Sequence, residues 1–451
     1  MRLKGVLFGL AICGIPTICE VKAEEEKVVD EYYIRNSVYM MKMDIPSTNE
    51  KYDAFYAIMD KTYDSIDFAT RYERYNDFSL ENRHIDRERL TNPSIYEYEE
   101  LGVPDDIKQS DKPEVATLLK YFRDERIANK LVAKWHNKLG VKEGEVDWDK
   151  DIYVIRELGL KSLSEEARYN ALATENLTSM IGKSESKMVS NTYLCVNRYG
   201  FLDAQDIVAQ LKAPFEKDLE KLDKENPLLA AGIRITIAAI EAGFKGYFVT
   251  ANAYLFRLEW NDSIQQDFYT RYWNNPEEFI ENAPYKLVYV GKSSKKAPAT
   301  MSISFDPNTE PLIKRATLRG TDAAFAALQR DNNDFRPMTS LHIVDGKLAA
   351  YIGCKEGITK KDKFDVYQAT VSGKKLNAIE WKYIGKIKVS NEGVWDNREG
   401  AEKEIAGGAI DKDEKKEKGN AKLGCTFFNG STKKFGEGNL IRLSGGKSKK
   451  M

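Results

Sequence analysis

Hydrophobic and polar positions change period three times along this chain. From Asn49 to about Leu177 apolar residues recur at spacings of three and four, as in Tyr52, Phe55, Tyr56 and Met59 and later Leu118, Leu119, Phe122, Ile127, Leu131 and Trp135. That is the signature of amphipathic helices, and Pro93, Pro104 and Pro113 divide them. Before them, Glu24 to Ser47 reads as a short extended segment and loop that includes Val38 to Met43.

The next region mixes periods. Met188–Asn197 and Lys245–Trp260 carry the β-branched and aromatic residues of strands, and Tyr285–Gly291 and Thr300–Phe305 read as two more. Helices are expected over Ala204–Leu222, with a break or kink at Pro214, over Ser263–Tyr272 behind a capping Asn261-Asp262, and over Asp322–Arg330. From about Thr339 the elements shorten to Ser340–Val344, a turn at Asp345-Gly346, Leu348–Gly353, Phe364–Ala369, Trp381–Val389 and Gly424–Phe428. Strands so short and close imply a small barrel or sandwich.

The expected fold class is therefore α+β: a mainly helical region over 24–180, an α+β domain over 181–335 and a small β-barrel over 336–445. Within the barrel region 399–422 is rich in Gly, Lys and Glu and reads as a mobile loop, and 446–451 reads as a solvated tail.

The 23 residues at the start have their own logic. Arg2 and Lys4 precede an apolar run from Val6, and Val21-Lys22-Ala23 precedes three glutamates, the order of a secretory signal peptide cut before Glu24. Cys13 and Cys19 each follow an isoleucine, where a lipid-attachment motif wants a small residue. Cleavage removes Arg2, Lys4, Lys22 and Glu20 and takes the formal charge from −1 to −3. A near-neutral body offers no electrostatic reason to bind nucleic acid. The greasiest later stretch, Leu228–Phe244, is broken by Arg234 and Glu241 and falls short of the ~20 apolar residues a transmembrane helix needs. The expectation is an exported protein, periplasmic or associated with the outer membrane.

Export permits a disulfide. Cys354 and Cys425 share one expected domain, and a bridge between them with Cys195 buried as a thiol is one reading; three buried thiols is the other.

Several phrases in combination resemble a group of exported proteins of unknown function from Bacteroidota: Tyr254-Leu255-Phe256-Arg257-Leu258-Glu259-Trp260-Asn261-Asp262-Ser263 with Phe268-Tyr269 and Trp273, then Gly353-Cys354-Lys355-Glu356-Gly357, Asp362-Lys363-Phe364-Asp365-Val366, Gly385-Lys386-Ile387 and Trp395-Asp396-Asn397-Arg398. The resemblance spans about Lys134 to Leu443, with Cys354 standing where an aliphatic or Lys residue is usual in the group. It implies export and architecture and carries no activity. The last hundred residues are also weakly similar to the SH3-like C-terminal domain of a flagellar assembly protein, through the turn that feeds a strand at Gly357–Val366, with Lys361 in place of the usual Gly. On the first resemblance, Asp64-Ser65-Ile66 and Asp262-Ser263-Ile264 fit an Asp-Ser-aliphatic acceptor of O-glycans.

No catalytic, metal or cofactor motif survives a check of its spacing. His84, His136 and His342 lie apart, without the H-E-x-x-H spacing of a zinc hydrolase. Asp147, Asp149 and Asp151 copy the start of a calcium loop, but Ile152 and Leu158 stand where Gly and Glu are required. Neither Gly291-Lys292-Ser293 nor Gly446-Lys447-Ser448 has the earlier Gly of a phosphate loop. The polar-aromatic clusters Trp260-Asn261-Asp262 and Trp395-Asp396-Asn397-Arg398 remain as surface sites, with turn chemistry as their simpler explanation. The function expected is non-enzymatic binding or scaffolding of another envelope protein or glycan. The alternative is an exported hydrolase of glycan or peptide using paired carboxylates, which leave no sequence trace.

Overall fold

The computed structural model describes residues 28–29, 36–44, 50–72, 76–77, 80, 83–150, 188–203, 247–298, 309–371, 379–401 and 420–445. The leader, the expected helix over Ala204–Leu222, the strand over Thr300–Phe305, most of the 399–422 loop and the tail lie outside these residues.

A mixed sheet forms the first body. Its path runs β3 (Asn76–Asp77), β2 (Ser37–Met43), β5 (Thr192–Asp203), β6 (Tyr247–Leu258) and β7 (Leu287–Pro298), with β4 (His84–Ile85) also on β2. The β2–β5 pair is parallel and the β5–β6–β7 ladders are antiparallel. Every residue of β2 is buried, because helices cover both faces of the sheet. Tyr39, Met41, Met43, Leu194, Val196, Tyr254 and Phe256 point into one core with α3 (Lys112–Asp124) and α4 (Ile127–His136). Val38, Met40, Tyr193, Cys195, Ala251, Ala253 and Leu255 point into the other, with α1 (Asp53–Asp64) and α7 (Thr309–Asp331). This alternation is the period of two that a strand imposes.

The expected helical region over 24–180 packs directly on the strands of residues 181–335. It supplies β2, α1, α3 and α4 to the same three layers as residues 181–335. Pro113 sits in the first turn of α3, where its missing N–H costs nothing. Arg126, in the left-handed conformation at the α3–α4 corner, donates to the carbonyls of Phe279, Glu281 and Ala283. It thereby satisfies the C-terminal carbonyls of α6 (Pro276–Asn282), which follows α5 (Asp262–Asp267) and a π-helical turn at Phe268–Tyr272.

The barrel is the second body: β8 (Met338–Ser340), β9 (His342–Val344), β10 (Lys347–Ala350), β11 (Lys363–Val371), β12 (Ile379–Val389), β13 (Thr426–Asn429) and β14 (Asn439–Leu443). All its ladders are antiparallel. β8 and β9 are two halves of one strand bent at Leu341; the first half pairs with β14 and the second with β10, which all but closes the sheet. Asp345 and Gly346 both take positive φ, the tight hairpin turn whose twist matches the strands. Leu341, Leu348, Phe364, Val366, Ile387, Phe428 and Ile441 fill the interior. β1 (Val28–Val29) adds to β12. The protein is α+β with a small barrel.

Helix α7 joins the two bodies. Gly320 lets it approach the sheet closely, since a Cβ there would stand 3.2 Å from that of Ala251. One turn and a half later, Ala326 meets Gly357 of the barrel. No helix among the described residues is long and apolar enough to cross a membrane.

Candidate functional site

Trp260 is buried among Phe268 and Tyr285, at ring-centre distances of 5.8 and 5.7 Å. Asn261 accepts from the Ile264 amide and caps α5, while Asp262 is exposed in its first turn. This cluster is the start of a helix over an aromatic core.

Trp395 to Arg398 are placed differently, at the joint between barrel, α7 and α2 (Phe68–Arg71). The Trp395 carbonyl accepts from the Cys354 amide, Asn397 accepts from the Lys355 amide and donates to Glu356, and Glu356 accepts from the Gly353 amide. Asp396 holds the Arg398 guanidinium through two bonds of 2.8 and 2.7 Å. Burial pushes the Asp396 carboxyl up, and Arg398 outweighs it by hydrogen bond and charge, so its pKa lies below the ordinary carboxylate value. The Lys355 ammonium donates to the Arg71 carbonyl, and Arg319 donates to that of Glu399. Arg71 in turn makes bonds of 2.8 and 2.6 Å to buried Asp322 on α7, which also accepts from Tyr72. Lys355, Arg319 and the Arg71–Glu399 pair thus tie the barrel region to the sheet body, with Asp322 holding Arg71 in place.

The Cys354–Cys425 bridge is not formed. Cys354 packs against the barrel interior, whereas Cys425 lies with Ala349 and Phe427 in a separate cluster. Along β10, Leu348 and Ala350 point inward and Ala349 between them belongs to that other cluster, so the sheet itself separates the two sulfurs. Cys195 is buried in the second sheet core, and burial pushes its thiol up to about 12, which makes it a poor nucleophile.

Two constellations correspond to no sequence motif. At the end of β2, the buried Lys42 ammonium contacts Asp44 and lies 2.7 Å from Asp60, while His84 bridges Asp44 at 3.0 Å and Asp64 at 2.6 Å. Burial pulls the imidazole pKa down, but its hydrogen bonds to the Asp64 and Asp44 carboxylates outweigh it and leave it raised. Burial likewise pushes Asp44 up, and Lys42 and His84 bring it below the ordinary value. With both ring nitrogens on carboxylates, His84 is a clasp between α1, β2 and β4 and not an available base. The clue in the sequence is a lysine inside the apolar run Val38–Met43. The same clasp occupies the Asp64 carboxylate of one suggested O-glycan acceptor, whose Ser65 hydroxyl donates to the Thr62 carbonyl.

The remaining histidines are structural. Buried His136 bonds the Val132 carbonyl, and His342 lies 3.3 Å from Glu437. Asp147 takes the Lys138 ammonium; Asp151 lies outside the described residues. Among the described residues no group of His, Cys, Asp and Glu has the geometry of a metal site.

The second constellation is a crevice between the end of α7 and the barrel, walled by Arg330, Arg336, Thr339 and Glu356 over an apolar floor that includes Ile352, Ile358 and Phe364. Arg330 is neutralised by Asp362 through two bonds of 3.0 and 2.8 Å. Arg336 is buried and, among the described residues, bonds only the main-chain carbonyls of Leu443 and Arg330. No sequence signal marks it.

No family model, curated protein or solved structure matches this chain.

Proposed function

We propose that this chain is an exported envelope protein that binds or organises another envelope component without catalysing a reaction, its layered body holding the barrel in one orientation. The observation that carries the reading is the state of its acids. Each described carboxylate with a displaced pKa, Asp44, Glu97, Glu278 and Asp396, lies below the ordinary value, and each takes hydrogen bonds from a cation. Here charge joins elements: Arg71 to Asp322, Arg330 to Asp362, and Lys42 to Asp44 and Asp60. The resemblance to exported Bacteroidota proteins supports the location, and the signal-like leader agrees with it.

Crosslinking the native protein in its own envelope, followed by affinity capture and mass spectrometry, tests the reading. A single dominant protein or glycan partner is expected, on a chain whose mature N-terminus is Glu24. Release of sugar or peptide fragments from envelope material by the purified protein would overturn it in favour of a hydrolase.

A further inference from the structure

We propose that the crevice between α7 and the barrel is a binding site for a small oxyanion head group, a carboxylate or a phosphate, held by the Arg336 guanidinium. The inference deepens the binding reading above, and rests on it for the idea that the protein's task is to hold a ligand.

Arg336 is only 8% exposed, yet among the described residues it makes no ion pair. Its Nη1 and Nη2 reach the carbonyls of Leu443 and Arg330, and its buried Nε has no acceptor. A buried guanidinium normally has its charge compensated, because taking an unpaired ion out of water is expensive. The nearby charges do not supply that compensation. Arg330 and Arg442 are the cations that face it and Asp331 and Asp365 the anions, and burial together with the two arginines leaves the Arg336 pKa below its ordinary value. Asp365 is already engaged, accepting from the Ser444 hydroxyl and lying 3.4 Å from Lys386. Arg330 is taken by Asp362, and the Arg442 Nε likewise has no acceptor. The local excess is positive, and it sits at a cavity.

The cavity fits the charge. The space it offers to water-sized groups measures about 30 Å³, enough for about two waters at roughly 10 to 15 Å³ each, the size of an oxyanion and smaller than a sugar ring. Thr339 and Gln329 add polar groups to its wall. Its apolar floor of Ile352, Ile358, Phe364, Ile441 and Leu443 would carry the first carbons of a ligand that bears the anion at one end. The one carboxylate on the wall, Glu356, accepts from the Gly353 amide and the Asn397 side chain and so is held in place.

Calorimetric titration of the full mature protein, at constant ionic strength in chloride, tests the site. The probes are inorganic phosphate and acetate as free ions, and butyl phosphate and hexanoate as anions on an apolar body. Saturable binding at one site per chain is expected, tighter for the alkyl probes; equal affinity for the free ions would assign the site to the ion alone. Arg336→Gln should weaken binding by about tenfold to a hundredfold, the usual effect of losing a hydrogen bond to a charged group. Should that variant fail to fold, Thr339→Leu adds bulk to the wall while keeping the guanidinium and should weaken binding equally. Unsaturable binding by the wild type, or equal binding by a folded variant, would overturn the inference. If the probes fail while an envelope partner is still captured, the oxyanion site alone falls. Probes that bind to a protein releasing fragments from envelope material would leave the site standing and remove the non-catalytic reading.

Discussion

Asp322 on α7 is the residue whose loss should be felt most at the joint. Truncation to Ala removes both bonds from Arg71, at 2.8 and 2.6 Å, and the 2.9 Å bond from Tyr72. It leaves the Arg71 guanidinium, whose side chain is 18% exposed, with Glu399 at 3.7 Å as the remaining carboxylate within 4 Å among the described residues. Breaking a buried pair from one side costs about 3 to 5 kcal/mol, since the surviving charge stays desolvated. Glu399 is itself half-exposed and restores part of this, so Asp322→Ala should cost about 3 kcal/mol. Replacing both partners, Arg71→Met with Asp322→Leu, removes the stranded charge and should cost at least about 2 kcal/mol less than the two single changes summed. Urea unfolding followed by tryptophan fluorescence reads all four corners of the cycle. A cost under about 1 kcal/mol for Asp322→Ala, or additivity within about 0.5 kcal/mol, would refute the argument that this joint is a desolvated ion pair.

The His84 clasp gives a pH dependence with a definite sign. Its folded pKa lies above the ordinary 6.5, so its contribution is fully present below that value and is lost as pH rises through the folded pKa. Stability should therefore fall across the range above about pH 6.5, and His84→Gln should flatten that part of the profile; an unchanged profile would refute the clasp. Gly353→Ala places a Cβ 2.1 Å from the Trp395 carbonyl oxygen and should cost about 1 to 3 kcal/mol through overpacking, whereas Gly424→Ala meets nothing within 4 Å and should be nearly silent in the same unfolding assay. Thiol titration of the denatured mature protein should give three thiols with or without prior reduction, and a rise from one to three would restore the Cys354–Cys425 bridge. Tyr254→Phe removes a hydroxyl that donates to Glu114 at the sheet face, but Arg198 still holds that carboxylate at 2.8 Å, so thermal unfolding should show a cost of only about 1 kcal/mol.

Local pattern was sufficient where an element's partners lie within a few residues. The buried run Val38–Met43, the Asp345-Gly346 turn, the short strands from Ser340 to Val389 and the Asn261 cap could be read directly, because each depends on side-chain period, backbone φ or a bond to a residue three positions on. Elements stabilised by distant contacts could not. The strand β14 carries no local signal because Asn439-Leu440-Ile441-Arg442-Leu443 follows a Gly-rich stretch and gains its meaning only from pairing with Thr339 and Val366. Helix α7 was read from Asp322 alone, since Pro311, Thr317 and Gly320 weaken its first half until Gly320 seats it on Ala251. The parallel pairing of β2 with β5 is hidden for the same reason, since it joins residues about 150 positions apart. The candidate sites divide likewise. Trp260 to Asp262 and Trp395 to Arg398 could be picked out as clusters because their residues are adjacent. The stranded Arg336 and the bridging His84 became visible only when the fold brought α7 to the barrel and Asp44 and Asp64 to the ring, because burial and charge compensation are properties of neighbours in space and the chain order does not record them.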